Sequence, residues 1–138
     1  MDLDEARSIL TAQHHAVLAT RKRDGSTQLS PVTVALDAEG RAIVSSRQTA
    51  YKVKNLRRDP TASLCVFPDT FYGGQWVQID GNASIVDLPD AMEPLVDYYQ
   101  RASGGEHPDW ADYRAAMERD LRVLIRIEIT RAGPDRSG

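Results

Sequence analysis

Short alternating runs, each closed by turn residues, recur down most of this chain. That rhythm limits what it can fold into more than any other feature. Residues 15–21 read as a first strand, and Asp24-Gly25 after it is a strong hairpin dipeptide. Residues 28–36 alternate next. Gln28, Ser30, Val32, Val34 and Leu36 point one way, and Leu29, Pro31, Thr33 and Ala35 the other. Asp37-Ala38-Glu39-Gly40 turns the chain into a third run, residues 41–47, and the three predict an antiparallel meander. A fourth strand is expected over 61–68, ended by Pro68-Asp69, and then a loop at Phe71-Tyr72-Gly73-Gly74. A fifth spans 75–86 and a sixth 122–129. Gly81 predicts a bulge or tight bend in the fifth. Pro31 has no N–H for a ladder, so it marks an edge, a bulge, or a place where something other than a strand lies alongside. Six strands in a chain this short, with few edge defences, favour closure on themselves. The expected fold is mainly β (α+β), a six-stranded antiparallel barrel with peripheral helices.

Those helices show a 3.6-residue period. Residues 3–13 place Leu3, Ala6, Ile9 and Leu10 on one face, with Asp2 or Asp4 as cap. Residues 89–102 align Met92, Leu95, Val96 and Tyr99. Ser103-Gly104-Gly105 breaks the pattern, and residues 108–118 align Trp110, Tyr113, Ala116 and Met117. No repeat or linker interrupts the chain, so one domain is expected over 1–138, with a polar tail fraying from Gly133.

Directly after the third strand comes Lys52-Val53-Lys54-Asn55-Leu56-Arg57-Arg58-Asp59-Pro60, with four cations in seven residues. Val53 and Leu56 are spaced to be buried by a helix that Asp59-Pro60 stops. Arg57 and Arg58 read as solvated surface charges. Lys52 and Lys54 lie at the helix start, where cations oppose the macrodipole and an anion would be stabilised by ammonium and amide groups together. Ser45 and Ser46 end the preceding strand beside the same place, and Ser30 joins them if the second strand pairs with the third. On the fifth strand Trp76 and Gln78 alternate with Val77 and Ile79. Trp76 is then either a core or interface aromatic, or it packs on a planar heterocycle whose polar edge meets the Gln78 amide.

Several function classes are excluded. A net charge of −3 and a pI near 5.6 argue against nucleic acid. No apolar run approaches the roughly 18 residues of a membrane span. The acidic start, Met1-Asp2-Leu3-Asp4-Glu5, is unlike a secretory signal, so a cytoplasmic location is expected. Cys65 is the sole cysteine and lies in an apolar run, which predicts a buried strand thiol. His14 and His15 are adjacent and point apart, and His107 sits in a loop. No metal-ligand spacing exists, so no metal site is expected. No GxSxG, GxxxxGK[ST] or GxGxxG motif occurs. Asp87 and Asp90 read as caps at a helix start. No catalytic residue is identified, and an enzyme of this kind borrows its chemistry from a cofactor.

Three segments carry a resemblance. They are Val17-Leu18-Ala19-Thr20 through Asp24-Gly25 to Gln28-Leu29-Ser30-Pro31-Val32; the basic segment from Lys52 to Pro60 with the strand after it; and Gly105-Glu106-His107-Pro108-Asp109-Trp110 with Tyr113-Arg114-Ala115-Ala116-Met117. In this order and at these intervals the chain resembles the pyridoxamine 5'-phosphate oxidase-like split β-barrel flavin/deazaflavin oxidoreductases, in particular their coenzyme F420-dependent branch from actinobacteria. The resemblance implies a homodimer with two cofactor sites at the subunit interface. Lys52 would meet the cofactor phosphate, with Ser45 and Ser46 near the ring and ribityl chain. Gln28, Ser30, Pro31 and Val32 would line the deazaflavin, Lys54 and Asn55 would join the binding set, and Trp76 and Gln78 would come from the partner. Relatives often carry an arginine two residues before the lysine matching Lys52; here that position is Ala50. The implied reaction is hydride transfer from reduced F420 to an organic acceptor such as a bilin, for example biliverdin, a quinone or another conjugated compound. The rivals are an FMN-binding flavin reductase or pyridoxamine-phosphate oxidase, whose basic C-terminus residues 133–138 do not match, a non-catalytic F420- or FMN-binding protein, and a purely structural dimer.

Overall fold

A computed structural model describes residues 1–70 and 74–134. The loop expected at Phe71-Tyr72-Gly73 and the final tail residues 135–138 fall outside the described residues. In chain order the elements are α1 (Leu3–Ala12), β1 (His15–Arg21), β2 (Thr27–Thr33), β3 (Ala35–Leu36), β4 (Ala42–Arg47), α2 (Tyr51–Arg58), β5 (Thr61–Phe67), β6 (Val77–Val86), α3 (Met92–Ser103), α4 (Trp110–Arg119) and β7 (Arg122–Gly133). The strands form one antiparallel seven-stranded sheet in the order β2-β1-β5-β6-β7-β4-β3.

Seven strands replace the expected six because the second run is cut at Val34. β2 pairs with β1, Pro31 opposite Val17, whereas Ala35 and Leu36 pair with Ile43 and Ala42 of β4. Val34, fully buried, donates its N–H to the His14 carbonyl at 2.8 Å. The chain therefore passes from one edge of the sheet to the other through a single residue. A sheet can do this only by curling until its edges meet, which is the split barrel. The expected meander is corrected accordingly: β4 pairs with β3 and β7, and not with β2. Pro31 sits on an edge strand, where its missing donor costs no ladder bond.

Inward-facing residues fill the barrel, among them Leu18, Val44, Leu64, Ile79, Ile125 and Ile127, and α1 and α2 add Leu10, Val53 and Leu56. Burying each such side chain contributes about 1.5–3 kcal/mol. A second cluster forms outside, where Leu95 of α3 and Tyr113 of α4 cover Ile43 and Leu124. β4 and β7 are thus buried on both faces and lose the simple alternation, while β5 keeps it.

That alternation corrects Cys65. Ala62, Leu64 and Val66 point inward, so Cys65 and Phe67 point outward onto a surface without a covering helix, and the thiol is exposed. The bulge expected at Gly81 is present between Asp80 and Gly81, and a Cβ there would lie 2.0 Å from the Glu128 carbonyl oxygen. β6 starts at Val77 rather than 75, leaving Trp76 just ahead of it. β7 continues to Gly133, which pairs with Gln78, so fraying does not begin at that residue. Asp2 caps α1 as expected, its Oδ1 accepting from the Asp4 N–H at 2.7 Å. Neither Asp87 nor Asp90 caps α3, whose N-cap is Ala91 without a side-chain bond; Asp87 instead pairs with Arg57 at 2.6 Å. Among the described residues no helix is long and apolar enough to cross a membrane.

Candidate functional site

The α2 sequence divides into two faces. Val53 and Leu56 enter the barrel core, while Tyr51, Lys54, Asn55 and Arg58, at spacings of a single helical stripe, face outward together. Opposite this stripe stands the β1–β2 hairpin, turned at Gly25 with φ 87°. Between them lies an open cleft of about 520 Å³, walled on the hairpin side by Lys22, Arg23 and Gln28.

Asn55 holds the two walls together. It is 6% exposed, and its Nδ2 donates to Thr20 Oγ1 at 3.1 Å and to Gln28 Oε1 at 2.7 Å. Its Oδ1 accepts from Arg58 Nη2 at 2.9 Å, and Arg58 also donates to the Arg21 carbonyl at 2.9 Å. Gln28 thus has its acceptor engaged and its amide N–H groups left for a ligand. The Lys54 ammonium lies 5.7 Å from the centroid of the exposed Tyr51 ring, a cation–π contact worth about 0.5–1 kcal/mol at such a site. Four cations, Lys22, Arg23, Lys54 and Arg58, line the cleft with no carboxylate among the lining residues. Asp24, in the adjacent turn, is taken by Ser26, whose hydroxyl and N–H hold its carboxyl below the usual range.

Arg58 is exposed, as expected of it, but it lines the cleft and is bonded to Asn55 and the Arg21 carbonyl, whereas Arg57 faces away to Asp87. Lys22 and Arg23 were missed by local pattern; their signal was two cations flanking the hairpin dipeptide. Lys52 does not line the cleft. It is half-buried on the flank of α2, where burial and the Arg122 guanidinium both lower the pKa of its ammonium. Gln28, Ser30 and Val32 share the inward side of β2, and Pro31 lies on the other. Ser46 points inward and is buried, its hydroxyl donating to the Arg47 carbonyl at 3.2 Å. Ser45, one residue earlier, points outward, its backbone beside the Tyr98 phenol. Trp76 is partly buried, and Gln78 is exposed opposite Cys65, donating to Asp80 Oδ1 at 3.1 Å. The structure thus gathers Gln28, Lys54 and Asn55 of the expected set in one cleft and leaves the others outside its lining, Ser30, Val32 and Ser46 on the inward side of the sheet and Pro31, Ser45 and Gln78 on the outer one.

The histidines have structural partners. His14 Nδ1 lies 2.8 Å from the Val34 carbonyl, and His15 Nε2 lies 2.8 Å from Asp69 Oδ1. His107 packs with Tyr99, Tyr113 and Trp110 at centroid distances of 5.0, 5.4 and 5.7 Å. Among the described residues no three side chains are grouped to hold a metal ion. The cleft has no nucleophile with an adjacent base. It is equipped to bind an anion and to present amides to a polar group.

Similarity to solved structures covers nearly the whole chain. A conserved hypothetical protein, Rv2991, from Mycobacterium tuberculosis is 26% identical with a TM-score of 0.78, over 100% of this chain and 92% of that one. A structure described as an F420 reductase is 22% identical with a TM-score of 0.70, over 92% and 94% of the two chains. A heme binding protein from Mycobacterium smegmatis is 20% identical with a TM-score of 0.72, over 97% of this chain and 55% of that one. The last two likenesses are of fold alone. The family model described as pyridoxamine 5'-phosphate oxidase matches residues 3–133. With the split barrel and the basic α2 cleft in place, this chain belongs to the pyridoxamine 5'-phosphate oxidase family.

Proposed function

We propose that this chain is a cytoplasmic, homodimeric oxidoreductase dependent on coenzyme F420, passing a hydride from the reduced cofactor to an organic acceptor such as a bilin, a quinone or another conjugated compound. The observation that carries the reading is the charge of the cleft: four cations with no carboxylate. FMN brings one phosphate, whereas F420 brings a phosphodiester and a tail of carboxylates, and the longer anion fits the larger cationic surface.

When bound, the deazaflavin supplies the hydride chemistry. The protein's part is to hold and orient it. Lys22, Arg23, Lys54 and Arg58 bind the anionic chain, and the Gln28 amide offers N–H groups to the polar edge of the ring. Asn55 keeps hairpin and helix at fixed separation. Lys52, Ser45 and Ser46 flank the amino end of α2, and Ser30, Pro31 and Val32 continue the β2 wall. The dimer is supported by the outer face of β1, β2 and β5, where Leu29 (66% exposed), Phe67 (37% exposed) and Cys65 are uncovered. Trp76 and Gln78 border that face and in a dimer would reach the neighbouring site.

The test is a parallel fluorescence titration with F420 and FMN. Micromolar binding of F420 and negligible binding of FMN supports the reading; the reverse order, or a yellow preparation with tightly held FMN, rejects it in favour of a flavin enzyme. Binding of F420 without oxidation of its reduced form by any acceptor identifies a non-catalytic carrier instead.

A further inference from the structure

Leu121 occupies a backbone position that disfavours it, and its side chain fills no core. It follows the C-cap Asp120 at the end of α4 and has φ 50°. Its N–H closes the helix on the Glu118 carbonyl at 3.2 Å. This left-handed position is ordinarily given to glycine or asparagine, because a Cβ there crowds the backbone. Among the described residues Leu121 is the one non-glycine with a positive φ. An apolar residue in such a cap is usually compensated by packing back onto the last helical turn. Little of that compensation is present. Leu121 is 53% exposed and belongs to neither core cluster, whereas Met117, one turn back, packs against the cluster of Leu95 and Tyr113.

Backbone strain of this kind persists where something other than folding needs the side chain. The surroundings of Leu121 indicate what that is. Ser45, Ser46 and Arg47 pair in register with Leu124, Val123 and Arg122, so Leu121 lies one residue past the last pair, beside the amino end of α2. Its carbonyl accepts from the Gln48 N–H at 2.9 Å, which ties it to the turn that leads into Tyr51. Tyr51 is 72% exposed and also belongs to neither core cluster. Four large apolar side chains are exposed among the described residues, and two of them, Leu121 and Tyr51, flank this turn. The other two, Leu29 and Phe67, lie on the outer face of the sheet. The nearby charges are satisfied locally, since the exposed Arg47 and Arg119 share Asp120 at 4.0 and 3.7 Å. On the other side of Tyr51 the cleft is lined by cations, which suit an anion and not an apolar ring.

We propose that Leu121 is a specificity-determining residue of the acceptor subsite, displayed so that an uncharged, apolar conjugated ring packs on it. This rests on the cofactor reading above and narrows it. The anionic cofactor uses the cations of the cleft, whereas the acceptor meets the protein through an apolar face at Leu121 and Tyr51. The two subsites adjoin at Tyr51, which lines the cleft and flanks the turn that Leu121 touches.

The experiment compares wild type with Leu121→Gly, Leu121→Asn and Leu121→Met. The acceptor probe is duroquinone, an uncharged quinone with no free ring position for the exposed Cys65 thiol to attack. As free proteins the glycine and asparagine variants melt at or above the wild-type temperature, because both residues accept the left-handed cap and no core contact is lost. Their KM for duroquinone rises about tenfold with kcat little changed, as for the loss of an apolar contact smaller than a fully buried leucine. Their F420 affinity stays at the wild-type value, and Leu121→Met recovers most of the loss in KM. Lower melting temperatures for both Leu121→Gly and Leu121→Asn mark a packing role and overturn the proposal. So does a halved mass in light scattering, which places Leu121 between two copies of the chain. If F420 binds and duroquinone is reduced with the same KM by all four proteins, the subsite is wrong and the cofactor reading survives. If duroquinone raises the melting temperature of wild type but not of Leu121→Asn, and neither F420 nor FMN binds, the apolar subsite survives and the cofactor reading fails.

Discussion

Asn55 donates to Gln28 Oε1 at 2.7 Å, and this bond ties the helix carrying Lys54 to the hairpin carrying Lys22 and Arg23. Replacing Asn55 by Ala leaves Thr20 without its side-chain partner, frees Gln28 and loosens Arg58. The expected cost is about 2 kcal/mol for a buried polar network losing its centre, read from urea unfolding. Weaker cofactor binding should accompany it, because the separation of the two walls is no longer set.

Two neighbouring arginines should behave differently. Arg58 lines the cleft, whereas Arg57 is in an exposed pair with Asp87. Arg58→Gln is expected to weaken F420 binding by about tenfold, as for a lost charge-assisted contact. Arg57→Gln should leave affinity unchanged and shift stability by no more than about 1 kcal/mol, the usual worth of an exposed ion pair. Fluorescence titration and thermal melting of both variants decide it.

That contrast shows where local pattern was informative. The stripe of Tyr51, Lys54, Asn55 and Arg58 was present in the helical period, yet Arg57 and Arg58 look identical until the hairpin stands on one side of the helix. Lys22 and Arg23 join α2 only through tertiary structure; the two cations directly before the hairpin dipeptide mark the turn as basic but not the helix that it faces. β5 was legible because one face is dry and the other wet. The cut at Val34 was not, because residues 28–36 keep alternating straight through it while the backbone changes partners. Cys65 was misplaced for a related reason: an apolar neighbourhood in sequence does not reveal that a strand's outer face lacks a helix.

Gly81 is expected to tolerate no side chain. A Cβ there would lie 2.0 Å from the Glu128 carbonyl oxygen and 2.8 Å from Ile127 Cγ2, and the first of these is backbone in the neighbouring strand. Gly81→Ala should cost about 3 kcal/mol, the upper part of the range for overpacking, measured by urea or thermal unfolding.

Acid should unfold the protein partly through Asp80. Burial raises the pKa of this carboxyl, but bonds from Ser63 Oγ at 2.6 Å, Gln78 Nε2 at 3.1 Å and Arg131 Nε at 3.0 Å outweigh it and leave it lowered. A depressed folded pKa gives stability that is present above the unfolded value of about 3.9 and lost as pH falls through the folded one. Asp80→Asn should therefore lower the urea midpoint near neutral pH and flatten its decline in acid.

The uncovered sheet face makes a prediction about assembly. Cys65→Asp places a charge at the centre of the proposed dimer contact, and light scattering should then report half the wild-type mass. In the wild type the thiol should react slowly with a disulfide reagent at high protein concentration and faster on dilution. Equal rates at all concentrations would rule that contact out.

Pro31 has a consequence for the life of this protein in a crowded solution. Because Val34 splices the two ends of the sheet, β2 offers the long free margin, and a bare margin invites a stray strand from another chain to extend the ladder. Proline at the middle of that margin withholds a donor from any such visitor, so a second chain cannot zip along it without a gap. The same residue that interrupts a strand pattern in the sequence thus protects the open side of the barrel from runaway polymerisation, and leaves it available to a ligand that needs no ladder.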